Sequence, residues 1–349
     1  MSPEKTFESR YTIAIDAMGG DHAPHMVMAG LDLMYDYLVE NRIGLLLFGK
    51  PEALAPHLAK YSRLGSISRV VQAADVVAPD ARPSKVIRSG RNTSMWMAIE
   101  SVRNNEADAV VSAGNTGCVM GISKLLISMI EGIRRPAITT QVPNAKGSFT
   151  VLLDLGANAE CDEHNIFQFG IMGSLYSQII NGNRRPTVGI LNIGSEAGKG
   201  LEYLNRASEM TIANRMNLSF DYVGFVEGSD IFKGEADVIV SDGFSGNVAL
   251  KTLEGTATFV ASLIKQMFKK SFMALVGYFF LRSAFKPLKK KIDVRNYNGA
   301  VFLGLNGIVV KSHGGTDAFG FANAVKYAAN LVAGDFDTKL KAEMEKVES

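Results

Sequence analysis

The sequence predicts an α/β fold, a mainly parallel sheet with helices on both faces. Three observations carry that prediction. A strand-like apolar run, a glycine-rich loop and a helical segment recur in that order at least six times along the chain, as in successive βα units. The runs are continuous rather than alternating, TVGIL and DVIVS for example, which suits strands buried on both faces. The chain is also 349 residues long, 47% hydrophobic and 21% charged. That is a globular composition with room for a substantial core, in one large α/β unit or about two domains.

Residues 1–10 read as a polar leader and Tyr11–Asp16 (YTIAID) as the first strand. The loop AMGGDHAP follows. It puts Asp16 and His22 beyond the carboxyl end of a strand, where open α/β sheets collect ligands. Pro24 suits the first turn of a helix, and Val27, Leu31, Met34 and Leu38 are spaced for one apolar face. GLLLFG is the next strand, PEALAPHLAKY a helix interrupted at Pro56, and SRVVQAAD a further strand. Residues 77–94 turn polar and basic, with Arg82, Lys85, Arg88 and Arg91. They read as a solvated loop or as a cationic segment beside an active site, able to meet an acidic partner or phosphate.

A helix over residues 95–104 leads into ADAVVSAGNTGCVMGISKLL, again strand, small-residue loop and helix. Gly114, Asn115 and Thr116 stand at that helix start. Asn and Thr there are good caps, and the N–H groups beside them suit an anion or a carbonyl oxygen. FTVLLDLGAN places Asp154 and Asn158 after a strand, ahead of a helix over about residues 166–180. Residues 187–200, TVGILNIGSEAGKG, are the most suggestive stretch. A strand runs into a loop whose small residues, Gly194, Ser195, Gly198 and Gly200, let backbone N–H groups close around an anion, and Lys199 adds a mobile point charge. The loop matches neither the P-loop nor the dinucleotide fingerprint, and no G-x-S-x-G elbow occurs. A helix over residues 202–216 follows. DVIVSDGFSGN is another strand and loop, with Asp242, Ser245, Gly246 and Asn247 at an exposed tip, and VALKTLEG begins the next helix. Finally, AVFLGLNGIVVKSHGGTDAFG supplies two short strands, with His313 in the loop before the last helix.

The formal charge of +2 argues against a general nucleic-acid binder. Two cysteines, Cys118 and Cys161, form no pair motif or metal spacing and point to a reduced, intracellular protein. No apolar secretory segment opens the chain and no window is long enough to span a membrane. Residues 255–291 change character: eight basic residues, no acidic one, and apolar side chains from Val260 to Phe280 at helical spacing. One reading is a helical pair in a subunit interface. The favoured one is an amphipathic hairpin on an anionic membrane surface, and both hold together.

Several segments, IAIDAMGGDHAP, SAGNTG, LDLGAN, LNIGSEAGKG, VEGSDIFKGEADVIVSDGFSGNVALKT and GAVFLGLNGIVVKSHG, resemble one family over residues 12–332. It is the acyl-acyl carrier protein:phosphate acyltransferase family of bacterial phospholipid synthesis. The resemblance implies a three-layer α/β/α fold with a largely parallel, mixed sheet, similar to phosphate acetyltransferases and isocitrate dehydrogenases. It implies one catalytic unit over residues 1–349, built of two entwined subdomains. The implied protein is a cytoplasmic, peripherally membrane-associated homodimer. Its partners are acyl carrier protein, inorganic phosphate and a downstream membrane glycerol-phosphate acyltransferase. Cys118 stands where the family has a smaller residue, and RNTSMW departs from its usual pattern.

In such a reaction phosphate is already an anionic nucleophile, so the work lies in positioning and in stabilising an oxyanion. Lys199 and its loop are the first choice for holding phosphate. Asp242 is similar to the aspartate those enzymes keep near the thiol, as a base in the reverse direction. Asn115, Thr116, Ser245, Asn247 and His313 are candidates for the thioester carbonyl or phosphate, and Asp16 and His22 are further candidates. An acyl-enzyme on Cys118 is disfavoured, since no histidine is near it in sequence. No metal site and no cofactor are expected. The alternatives are a decarboxylating dehydrogenase of similar fold and a non-catalytic, membrane-docked carrier-binding module.

Overall fold

The computed structural model describes residues 8–269 and 293–348. Its strands are β1 (Tyr11–Asp16), β2 (Ile43–Gly49), β3 (Ser68–Gln72), β4 (Ala109–Ser112), β5 (Ala137–Pro143), β6 (Phe149–Leu153), β7 (Thr187–Leu191), β8 (Asp221–Val226), β9 (Val238–Val240), β10 (Ala300–Leu303) and β11 (Ile308–Lys311). Among the described residues they form one sheet in the order β3-β2-β1-β4-β11-β10-β5-β6-β9-β7-β8.

The pairing divides that sheet in two. β1, β2, β3, β4 and β11 run parallel to one another. So do β6, β7, β8 and β9. Between the groups, β11 with β10, β10 with β5 and β5 with β6 are all antiparallel. Three successive reversals leave the second group pointing the opposite way to the first. The carboxyl ends of the two groups therefore lie on opposite rims of the sheet.

Alternate strand residues enter two separate cores, as the period of two requires. Ile13, Ile15, Val111, Val238 and Val240 join one core; Ala14, Val110, Ile239 and Val309 join the other. The first core is covered by α1 (His25–Leu33), α2 (Tyr35–Glu40), α3 (Pro51–Lys60), α7 (Glu163–Asn181), α8 (Glu202–Ala213), α10 (Ala318–Ala333) and α11 (Phe336–Glu348). The second lies under α4 (Pro83–Ser89), α5 (Ser94–Arg103), α6 (Thr116–Leu126) and α9 (Gly243–Lys269). The architecture is thus three layers, α/β/α, around a mixed sheet. On α7, Ile166, Phe169, Met172 and Tyr176 are buried, each contributing about 1.5–3 kcal/mol before chain entropy is counted.

Four details differ from the sequence reading. α3 runs unbroken through Pro56; five residues into the helix, proline removes one backbone bond without ending it. The basic stretch 77–94 contains the short helix α4, started by Pro83 in the first turn. α8 stops at Ala213, short of residue 216. α9 begins at Gly243, so SDGFSGN is a helix start rather than a loop tip: Asp242 is 8% exposed and Asn247 half-buried, while Ser245 is exposed as expected. Of residues 255–291, those up to Lys269 continue α9, exposing Phe259, Val260, Leu263, Ile264 and Met267. The apolar and basic residues from 270 to 291 lie outside the described residues. No helix among the described residues is long and apolar enough to cross a membrane.

Candidate active site

Strand direction sorts the candidate residues into two groups. The first gathers at the carboxyl ends of β1, β4 and β11. Asp16, at the end of β1, is buried and accepts hydrogen bonds from Ser94 Oγ at 2.6 Å and Ser112 Oγ at 2.7 Å. Burial raises its pKa, and the two serine hydroxyls oppose that rise. Lys311 ends β11 in the same place, 7% exposed, donating to the Ser312 carbonyl. Burial pulls its ammonium down to about 8, against the attraction of Asp16 and Asp21.

Asn115 caps α6, its Oδ1 accepting from Cys118 N at 3.0 Å while its Nδ2 donates to the Pro79 carbonyl at 2.8 Å. Gly114 N donates to Ser112 Oγ. Thr116 is the first residue of α6. The loop before His22 reaches the loop after His313 through Asp21 N on the Gly314 carbonyl at 2.9 Å. His22 and His313 are both exposed, and His313 Nδ1 accepts from Gly315 N.

The second group lies on the opposite rim, at the carboxyl ends of β6, β7 and β9. Since β7 and β9 pair directly and in parallel, Ile190 beside Val240, the lysine loop and the Asp242 segment leave the sheet side by side. α8, which follows the lysine loop, closes the link: Tyr203 OH donates to Asp242 Oδ2 at 3.0 Å. Asp242 also accepts from Ser245 N and Ser245 Oγ, each at 2.8 Å, as the cap of α9.

Asp154 anchors this rim. It is fully buried at the end of β6 and accepts from the N–H groups of Ile138, Gly156, Ala157 and Asn158 and from Asn158 Nδ2. Burial is the larger influence on its pKa, which is raised. α9 presses directly on this turn. Gly246 has no room for a Cβ against the Asp154 carbonyl, and Asn247 Nδ2 donates to the Leu155 carbonyl at 2.9 Å. Asn247 thus holds the two loops together.

The lysine loop is pre-shaped by its own side chains. Asn192 Nδ2 donates to the Lys199 carbonyl, Asn205 Oδ1 accepts from Gly198 N, and Lys199 N donates to the Glu196 carbonyl. Two of the N–H groups expected to face an anion are therefore already engaged. Gly200 has φ +80° and lies against the Asn192 side chain, a place only glycine fits without strain. Gly194 packs against the Lys199 side chain, and Ser195 lines a cavity of about 360 Å³ beside β8. Lys199 Nζ lies 2.8 Å from Glu196 Oε1, with both side chains more than half exposed. Such an exposed pair is weak, so Glu196 holds Lys199 only loosely.

The fatty acid synthesis protein family model matches residues 11–339. The chain is 47% identical over 340 residues to a phosphate acyltransferase of Rhodospirillum centenum, covering 97% of this chain and 94% of that one. It is 45% identical over 336 residues to a phosphate acyltransferase of Paramagnetospirillum magneticum, covering 96% and 94%. The chain belongs to the fatty acid synthesis protein family. Its fold is also that of a phosphotransacetylase from Streptococcus pyogenes, with TM-score 0.62 and 14% identity over 95% of this chain and 96% of that one. The EutD phosphotransacetylase from Staphylococcus aureus gives TM-score 0.59 and 14% identity over 94% and 96%.

In this family member the sequence reading missed Asp154, Tyr203, Glu196 and Lys311 as site residues. LDLGAN carried the signal for Asp154. Tyr203 and Lys311 gave none, because their partners are distant in sequence. Cys118 is fully buried, and burial raises its thiol pKa. Burial pushes the Cys161 thiol up to about 12. Neither is set up as a nucleophile. Among the described residues no three His, Cys, Asp or Glu side chains are grouped to hold a metal ion.

Proposed function

We propose that this phosphate acyltransferase takes a fatty acyl group from an acyl carrier protein thioester and delivers it to inorganic phosphate, making acyl phosphate for phospholipid synthesis. The observation that carries the reading is the delivery of Lys199 and Asp242 to one rim by adjacent parallel strands, with Tyr203 of the helix after the lysine loop donating to Asp242. Phosphate replaces Glu196 on Lys199, and one of its oxygens attacks the thioester carbonyl. A carbon–oxygen bond forms, the carbon–sulfur bond breaks, and the sulfur leaves as thiolate to take a proton from water. In reverse, Asp242 receives the thiol proton. Holding the two substrates in register supplies up to about 7–11 kcal/mol of the barrier reduction, and a donor on the oxyanion about 3–4 kcal/mol.

The enzyme works in the cytoplasm as a homodimer, of one catalytic unit with two entwined subdomains. It rests peripherally on an anionic membrane surface and hands acyl phosphate to a membrane glycerol-phosphate acyltransferase. The exposed apolar side chains of α9 support such a contact. The test is incubation with a long-chain acyl carrier protein and phosphate, watching for acyl phosphate. Lys199→Ala is expected to lower turnover by about 100-fold or more with the unfolding midpoint unchanged. Wild-type turnover surviving in that variant would remove Lys199 from the mechanism.

A further inference from the structure

We infer that the cationic face made by α4 and the adjoining parts of α5 and α6 is the docking surface for an acidic protein carrier. The inference rests on the proposed use of a carrier-borne thioester and says where that carrier sits.

α4 lies flat on α6, with Pro83 against Gly117 and Ile87 against Gly121. That packing turns Lys85 and Arg88 outward. Arg82 and Arg91 flank the helix and Lys124 projects from α6. All five are exposed, and none has a carboxylate partner among the described residues. Elsewhere on the surface Arg63, Arg185, Arg206 and Arg295 pair with carboxylates, while Arg10, Arg69, Arg135, Arg184 and Arg215 are exposed without such a pair among the described residues. What sets this face apart is clustering: four exposed cations fall within residues 82–91, beside Lys124.

Beside the cations runs a groove of about 450 Å³ lined by Ile87, Arg91, Trp96, Glu100, Arg103 and Leu125. Its acidic member is neutralised, since Glu100 binds Arg103 at 2.8 Å. Ile87 and Leu125 provide an apolar floor. The indole N–H of Trp96 is buried without a partner among the described residues. A positive rim over an apolar groove fits an acidic amphipathic helix, with carboxylates on the rim and an apolar residue in the groove. A lipid surface is flat and would leave the groove unfilled.

This face is physically joined to the candidate site. Asn115 Nδ2 holds the Pro79 carbonyl and Cys118 Sγ the Ala81 carbonyl, tying the approach to α4 onto the first turn of α6. α9, capped by Asp242, covers the same side of the sheet as α4, α5 and α6. From β4 to β9 is five strand steps across the sheet, about 24 Å at about 4.8 Å per step. The height of the sheet adds to this, because the two carboxyl ends lie on opposite rims. A thioester on an extended, flexible arm suits that reach; one held rigidly on the carrier's own surface does not.

The test is the double variant Lys85→Glu/Arg88→Glu, assayed with one acyl group presented on the carrier protein and on pantetheine alone. The KM for the carrier substrate should rise about tenfold or more and become insensitive to salt, with kcat within about twofold. The pantetheine substrate should be turned over as before. Equal losses on both substrates, no change on either, or weakened binding to anionic vesicles with the carrier KM untouched would each overturn the assignment. Carrier binding, followed by fluorescence anisotropy, needs no turnover. A wild-type protein that makes no acyl phosphate but loses carrier affinity on charge reversal would refute the transfer reaction and keep the docking face.

Discussion

Lys311 brings an ammonium to the end of a buried strand, where burial holds its pKa at about 8 instead of 10.5. Between those values the unfolded chain keeps a proton that the folded chain has released. Taken alone, this group makes stability rise with pH across about 8 to 10.5, by at most about 1.4 kcal/mol per unit. The Cys161 thiol, held up to about 12, opposes that rise above about 9. Asp16 acts at the other end of the scale. Burial raises its pKa, so its contribution has the opposite sign and is lost as pH rises. Lys311→Met should lower the slope of urea-unfolding free energy against pH between pH 8 and pH 10 relative to wild type; parallel slopes for variant and wild type would refute this account. Nothing in IVVKSHG distinguishes this lysine from one at a strand's solvated end, because its burial comes from the meeting of β1, β4 and β11. The same holds for Tyr203, which meets Asp242 across 39 residues of sequence. Local patterning does not encode such meetings.

At the scale of elements, short apolar runs followed by glycine loops were enough to place the strands that bear the site, since a continuous run between turn residues has few other uses. The start of α9 was harder to place. SDGFSGN has the composition of a loop, yet Asp242 caps the helix and Gly246 sits inside its first turns, against the Asp154 carbonyl. The glycine signals close approach rather than a bend. Gly246→Ala should force α9 away from the Asp154 turn and lower unfolding free energy by about 1–3 kcal/mol. Val248→Ala, on the exposed side of the same helix, should stay within about 0.5 kcal/mol. Equal, small effects in denaturant titration would mean that the contact at Gly246 is not tight. A lower kcat accompanying the stability loss would tie that packing to Asp242.

For the whole molecule the decisive feature is the reversal of strand direction between the two parallel groups. The sequence reading placed its candidates in loops after strands and had no means of telling one carboxyl end from another. Within one chain the ends differ. Asp16, His22, Gly114, Asn115, Thr116 and His313 share one rim, while Lys199, Asp242, Ser245 and Asn247 share the other. Strand order and direction arise from which apolar runs pair, and all the runs look alike, so no single segment reveals the split. It has a kinetic consequence. Asn115 is a helix cap with both side-chain atoms occupied, so Asn115→Ala should cost about 0.5–2 kcal/mol of stability. Its kinetic effect should fall on the KM for the carrier, through the loosened tie to α4, with the KM for phosphate within about twofold. Lys199→Ala should do the reverse: stability intact, because the side chain is exposed, and the phosphate-dependent step lost. Steady-state kinetics on both substrates, paired with denaturation of both variants, separates the rims. If Asn115→Ala raised the phosphate KM as Lys199→Ala does, the two rims would have to meet around one phosphate, and a second chain would have to bring them together.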